Sequence, residues 1–499
     1  MDNSGFGYYV GLNSDFFNNP HIIMVKIFLM RKLYLIILII GFLIILPDVH
    51  AQKPVAFPHA EGFGRFSLGG RGGDVYHVTT IADYNPKTDK PLEGTLRHAV
   101  MTQIKPRTIV FDVSGRIQLK APLYVLHSFL TIAGQTAPGD GITISGDTFE
   151  IKGGEAESEW LHDIIIRFIR FRHGDETAKT GDGITSNYAS DYIFDHISAG
   201  WTIDGIQDLR GGGNFTLQWS IYAEALNMST HYKNAPHAMV GSFRDLKKNI
   251  SIHHNLMASS RDRHPTLGSG NATKTDTMVV CDFRNNVVYN WRGGTNLGEV
   301  RHNFVNNYYK PGESSEFGYK TRTPLQIKSS RAQCAKGYLS GNYFENASPE
   351  YNKDNYTAIT YTNSGGYNST TRAQFEFDKP FVFGDDIPKT QKPKKAFELV
   401  MNLAGASLVR DAIDAREVND VRMGTGKLID SQKDVGGWPE YKSKPALQDS
   451  DKDGMPDEWE KKNKLNSNDG SDGNEFSLNK NFTNLEVYLN GLVEHLYKF

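Results

Sequence analysis

The stretches VCDFRNNVVYN (280–290) and VRHNFVNNYY (300–309) decide the fold. In each, an asparagine stands before a hydrophobic or aromatic pair: Asn286-Val-Val and Asn307-Tyr-Tyr. The same arrangement occurs at Asn255-Leu-Met and Asn342-Tyr-Phe, so the repeats lie 21 to 35 residues apart. That spacing fits one turn of a solenoid. In a parallel β-helix, equivalent residues of neighbouring coils stack about 4.8 Å apart, the inter-strand distance. A column of asparagine amides can then bond to one another and to the turn backbone, which satisfies every amide. Turn asparagines in a β-sandwich are the alternative. A sandwich, however, does not repeat one residue at the same point of successive strands.

Outward from these stretches, short β-rich segments recur from about residue 107 to 345. They include RTIVFDVSG (107–115), FLTIAG (129–134), DIIIRFIRFR (163–172), DYIFDHIS (191–198), NFTLQWSIY (214–222) and GYLSGNYF (337–344). Gly, Asn, Asp and Ser separate them, which is turn chemistry. No helical periodicity of comparable strength interrupts the series, and this excludes a doubly wound sheet or a βα barrel. The expectation is an all-β parallel β-helix over residues 52–387. Residues 388–444 form a helical extension, in which PKKAFELVMNLAG and RDAIDAREVNDVR carry apolar helical spacing and Gly405 and Gly424 mark stops. Residues 445–499 form a small acidic tail.

Composition narrows the partners. The 499 residues carry 55 Lys+Arg against 57 Asp+Glu, a balance that points to no nucleic-acid partner. Only two cysteines, Cys281 and Cys334, are present, so the core and not a disulfide framework holds the fold. At the N-terminus, Met30-Arg31-Lys32 precedes the apolar run Leu33 to Leu46, and Val49 and Ala51 stand as the −3 and −1 residues of a cleavage site. A basic start, a short apolar run and a small-residue exit make a secretory signal. The run is shorter than the roughly 20 residues a spanning helix needs. Residues 1–51 therefore read as an upstream extension plus signal peptide, cleaved near Ala51-Gln52. The mature chain is expected to be a secreted or periplasmic monomer without stable membrane insertion; an uncleaved anchor is the alternative.

The tail opens with DSDKDGMPDEWE (449–460), which matches the twelve-residue EF-hand loop at positions 1, 3, 5, 6, 9 and 12. Asp449, Asp451 and Asp453 supply hard oxygen ligands, Met455 its carbonyl, Asp457 a direct or water-mediated contact, and Glu460 both carboxylate oxygens. Gly454 permits the sharp turn. A second half, NKNFTNLEVYLNGLV (479–493), resembles the partner hand but lacks carboxylates at the ligand positions. A structural calcium that staples the chain end is preferred to a docking role.

Three further acids have informative spacing. Asp182 lies in TGDGI, and Asp204 and Asp208 lie in WTIDGIQDL, about one coil later. Acids converging on one turn surface repel one another unless a cation joins them. Ca²⁺ is the expected guest, because it accepts several carboxylate oxygens with irregular geometry. Solvated turn aspartates are the alternative. Arg210, Lys233, His237, Arg261 and Arg263 follow on later coils of the same flank. A cation-holding acid cluster beside a row of bases suits a polyanionic substrate.

The pieces DGI with Asp182, IFDHIS with Asp195-His196, HHN at 253–255, and Arg263-His264-Pro265 together resemble the pectate lyases of polysaccharide lyase family 1. So do the entry GFGRFSLGGRGGDVYHVTT (62–80), GTLRHAV (94–100), EALN (224–227) and FRNNVVYNW. The resemblance covers about residues 55–345. It implies a right-handed parallel β-helix that cleaves de-esterified homogalacturonan, a pectic polysaccharide, by calcium-dependent β-elimination. Carried over, Asp182, Asp204 and Asp208 are calcium ligands and Arg263 is the catalytic arginine. Thr180 stands where the family often has a further aspartate, and Asp175 in RHGDE is its substitute. The family's clamping lysine has no clean match; Lys233 or His237 replaces it, Arg261 stands for a second clamping arginine, and Arg210 adjoins them. The competing readings are a pectin lyase, a polygalacturonase-type hydrolase and a non-catalytic glycan-binding solenoid.

The histidines of IHHN alternate across a strand, so their rings point to opposite faces and do not easily share a metal. His254 is expected to be a packed or stacked solenoid residue.

Overall fold

The computed structural model describes residues 20–44, 53–177, 179–229, 235–268, 277–315, 323–327, 335–361, 370–381 and 387–498. The chain divides into two units, Met1–Lys53 and Pro54–Phe499. The first unit contains the helix Pro20–Ile44. Among the described residues no helix is long and apolar enough to cross a membrane.

The second unit is a parallel β-helix. One sheet has 17 strands and the other nine, and the strands pair in parallel with partners one coil away. The larger sheet is two faces fused through two long strands. Ile184–Asp195 and Gly205–Gln218 run the length of both faces, pairing residues 184–187 with 207–210 on one and 192–195 with 215–218 on the other. Inward positions of every coil are aliphatic or aromatic and almost fully buried, among them Ile184, Leu209, Phe243, Leu267, Leu297 and Leu325. Outward neighbours of these residues are polar, and these are the positions available for chemistry.

The asparagine column forms as expected and is one member longer. Asn255, Asn286, Asn307 and Asn342 each pass a side-chain oxygen to the residue one coil before. The Asn255 N–H and Nδ2–H donate to Asn286 Oδ1 at 3.0 and 3.1 Å, and Asn286 N–H and Nδ2–H donate to Asn307 Oδ1 at 3.0 and 3.2 Å. Asn355 ends the column by accepting from Asn342 at 2.9 and 3.0 Å. One residue earlier the corner is left-handed at Phe168, His196, Trp219, His254, Asn285 and Asn306, with φ between 51° and 56°. At the first four of these corners the rings stack: Phe168 on His196 at 4.8 Å, and Trp219 on His254 at 4.2 Å. His254 is thus a stacked structural residue. Its Nε2 lies 2.6 Å from Gln391 Oε1 and its Nδ1 lies 2.9 Å from His253 Nδ1, and burial pushes both rings below the ordinary imidazole range.

Helices cover the outer face of the nine-stranded sheet. Pro393–Leu403 and Ala412–Met423 bury Val400, Met401, Val418 and Val421 against Ile221, Leu256, Val287 and Tyr289. Each such aliphatic side chain contributes about 1.5–3 kcal/mol. Gly424 caps the second helix at φ 74°, as its position suggested. Arg416 fixes the same helix by two hydrogen bonds to the buried Glu224, at 2.6 and 2.7 Å. The tail then returns to the first coils, where Met455, Leu485, Tyr488 and Leu489 pack on Ala133.

Candidate active site

The long strands position the acids. Gly205 pairs with Met239, Asp208 with Ser242 and Arg210 with Arg244, while Met239 bridges to Asp262 on the coil after that. Asp182 and Asp204 occupy the turns that lead into strands Ile184–Asp195 and Gly205–Gln218, His237 precedes Met239–Arg244, and Arg263 precedes Thr266–Leu267. Four successive turns therefore stack along one edge and carry Asp182, Asp204, His237 and Arg263. Asp208, Arg210, Ser242 and Arg244 alternate with the buried Leu209 and Phe243, and so face outward beside them.

Asp182 is the most perturbed of these groups. Its carboxyl is pushed up to about 8, first by burial and then by repulsion from Asp204 and Asp208, against a backbone hydrogen bond from Gly205 and the Arg263 charge. The Gly205 N–H donates to Asp182 Oδ1 at 2.8 Å. His237 Nε2 lies 2.6 Å from Asp204 Oδ1. Asp208 is held by Arg244, with Nη2 at 2.5 Å and Nε at 3.3 Å, and by Arg210 Nη2 at 3.4 Å. Arg263 Nη1–H donates to Ser242 Oγ at 2.8 Å, so its guanidinium reaches back one coil toward the acids. Asp262 Oδ1 accepts the Arg263 N–H at 2.7 Å, and the Arg261 N–H donates to Ala238 O at 2.8 Å, which pins the turn.

The structure thus brings together Asp182, Asp204, Asp208, Arg210, His237, Arg261 and Arg263. Lys233 lies outside the described residues. Asp175 is taken up elsewhere: Gln432 Nε2–H donates to its Oδ1 at 2.7 Å and Gln432 Oε1 accepts its N–H at 3.2 Å. Gln432 of the C-terminal extension thus engages one oxygen of Asp175. Sequence reasoning missed Arg244. The signal was the register of IQDLR (206–210) on VGSFR (240–244), which aligns Arg210 with Arg244. Three carboxylates on adjacent coils, all hard oxygen donors and mutually repelling, have the donor chemistry that calcium requires. Among the described residues they do not form a group with all ligand atoms within 4.8 Å; His237 and Arg244 pair with two of the acids.

A second acidic centre lies in the tail. Asp449, Asp451 and Asp453 form one group with ligand atoms within 4.8 Å, and Asp453, Glu460 and Asp472 form another. Asp449 accepts from the Lys452 and Gly454 N–H groups at 2.8 and 3.0 Å, which shapes the loop. Asp457 accepts from Ser450 N–H and Oγ–H, both at 2.8 Å, so both its oxygens brace the loop start. The Met455 N–H donates to Asp453 Oδ1 at 2.8 Å. Burial and the neighbouring carboxylates push Asp453 up to about 8 and Glu460 to about 7. Asp472 comes from NSNDGSDGNEF (466–476), outside the twelve-residue motif, and had no sequence signal.

A parallel β-helix with acids and arginines along one flank of successive turns offers a surface suited to a polyanionic chain. No family model matches the chain. It is 33% identical over 448 residues to a probable pectate lyase C of Emericella nidulans, covering 89% of this chain and 94% of that one. It is 31% identical over 452 residues to a probable pectate lyase C of Aspergillus fumigatus, covering 89% and 95%. Among solved structures, it resembles the major allergen from cedar pollen at TM-score 0.48 and 17% identity, over 69% of this chain and 92% of that one. The chain belongs to the pectate lyases, and the hydrolase reading falls with that membership.

Proposed function

We propose that this chain cleaves de-esterified homogalacturonan by calcium-dependent β-elimination, with Asp182, Asp204 and Asp208 as the cleft ligands and Arg263 as the base. The observation that carries this reading is the stacking of Asp182, Asp204, His237 and Arg263 on successive turns beside Asp208 and Arg244. Elimination removes the proton at C5 of a galacturonate, which is poorly acidic beside a charged carboxylate. Asp182, Asp204 and Asp208 would hold the calcium, which when bound would offset the substrate carboxylate's charge and make the C5 proton more acidic. Arg263, reaching back one coil to Ser242, takes the C5 proton; the C5–H electron pair becomes the C4=C5 double bond as the C4–O4 glycosidic bond breaks, and the leaving oxygen takes a proton from solvent. Ser242 orients its guanidinium through Nη1. Arg244, Arg210 and Arg261 present cations to the neighbouring uronates and fix the sugar in register. His237, paired with Asp204, supplies the same flank.

The leader with Arg31 and Lys32, an apolar run and Ala51 supports export with cleavage near Ala51-Gln52, which N-terminal sequencing of the mature protein checks. The activity is tested by incubating polygalacturonate with and without Ca²⁺ and reading ultraviolet absorbance of the products. An unsaturated uronide that forms only with Ca²⁺ is expected. Chain shortening without that absorbance contradicts elimination. Equal rates on fully methyl-esterified polymer without calcium would instead indicate a pectin lyase.

A further inference from the structure

Six carboxylate oxygens in the tail are buried with no hydrogen-bond partner: both of Asp451, Asp453 Oδ2, both of Glu460, and Asp472 Oδ1. Glu460 is 0% exposed, Asp453 4% and Asp472 9%. Burying several unpaired carboxylates costs several kcal/mol each unless an opposite charge is supplied. The two groups with ligand atoms inside 4.8 Å share Asp453, so they adjoin at that residue. A Cβ placed on Gly473 would meet Asp453 Oδ2 at 2.5 Å, and this glycine is what lets the second loop approach the first.

We propose that a calcium ion is held here by Asp453, Glu460 and Asp472, with Asp449 and Asp451 adjoining through the shared Asp453, so that Asp472 of the second loop is a ligand and Asp457 is outside the coordination sphere. The donors are all oxygen, which excludes soft-metal preference. The six unpartnered oxygens fall in the range of six to eight that Ca²⁺ takes, and Ca²⁺ sheds its waters for carboxylates more readily than Mg²⁺ does. Asp457 is excluded because Ser450 occupies both its oxygens. The ion joins two loops that sequence alone leaves separate. The second loop is tied to the solenoid by Asn474 Nδ2–H donating to Gly73 O at 3.0 Å, and the helix Asn484–Gly491 by Arg71 on Glu486 at 2.8 Å. The ion is therefore a clasp that fastens the chain end across the first coils.

The test uses the full-length Asp204→Ala protein, so that the cleft does not contribute. Calorimetric titration with Ca²⁺ is expected to give one equivalent. Adding Asp472→Asn lowers the affinity at least tenfold, whereas adding Asp457→Asn changes it less than threefold. Unchanged affinity in Asp472→Asn, an equal loss in Asp457→Asn, or two equivalents overturns the proposal. In the Asp204→Ala protein without further substitution, hydrogen exchange gives an independent reading. Calcium should protect amides of residues 466–476 relative to chelator, and no difference there also overturns it. These readouts are independent of turnover, so they separate the tail ion from the cleft reading.

Discussion

Truncating Asn286 to alanine tests the architecture that holds the cleft. Asn255, Asn286 and Asn307 are all fully buried, so no water replaces a lost partner. Asn286→Ala removes four hydrogen bonds: two from Asn255 to Asn286 Oδ1 at 3.0 and 3.1 Å, and two from Asn286 Nδ2 to Ile252 O and Asn307 Oδ1 at 2.9 and 3.2 Å. Asn255 Nδ2 keeps Leu217 O, and Asn307 Oδ1 keeps the Asn286 N–H. The Asn255 N–H is left an orphan. A buried unsatisfied group costs about 1–3 kcal/mol, and the partly compensated bonds add to this, for about 2–4 kcal/mol in total. Urea unfolding followed by fluorescence of the nearby buried Trp291 measures the loss. A solenoid unfolds by neighbouring coils, so the transition that Trp291 reports is the one to compare. A change under about 0.5 kcal/mol, the size of an ordinary surface substitution, would refute the buried ladder.

Three further outcomes are expected. Burial holds His196, His254, His264 and His302 down to about 4. The unfolded chain protonates them near pH 6.5 and the folded protein only near 4, so their stability is full above pH 6.5 and is lost as pH falls through that window. Each contributes on the order of 3 kcal/mol at 1.36 kcal/mol per pH unit. With calcium present, urea midpoints should drop steeply from pH 7 to 4.5, and a flat profile would contradict the buried neutral assignment. Arg244→Ala should raise KM for polygalacturonate about tenfold, a loss of about 1.4 kcal/mol, with a smaller change in kcat; an unchanged KM argues against Arg244 as a substrate cation. Asp204→Ala, with the tail intact, should abolish calcium-dependent turnover while leaving the melting temperature in chelator near that of wild type. Retained turnover at the same calcium level would remove Asp204 from the site.

Much of this was legible because a solenoid repeats its requirements. One asparagine does the same job on each coil, so its spacing reports the coil length. Asn355 escaped notice because it follows Asn342 by only 13 residues, in a short 3₁₀ turn. The turn acids were legible as a group, since like charges one coil apart call for a cation. Arg244 was not, because its relation to Asp208 exists only across the strand register. Asp175 illustrates the converse: its hydrogen bond from Gln432, 257 residues later, is invisible in the local sequence. Asp472 lies in a loop without a motif, and only the folding of that loop over Asp453 reveals its role.

The central claim is that Arg263, oriented by Ser242 beside the acids, removes the C5 proton. It is tested most directly by the rate of unsaturated product from Arg263→Lys at saturating polygalacturonate and calcium. A positioned base is worth about 100-fold or more, so kcat should fall by at least about that factor while calcium binding is retained. Near-wild-type turnover in Arg263→Lys would mean that hydroxide takes the proton and that Arg263 contributes only charge.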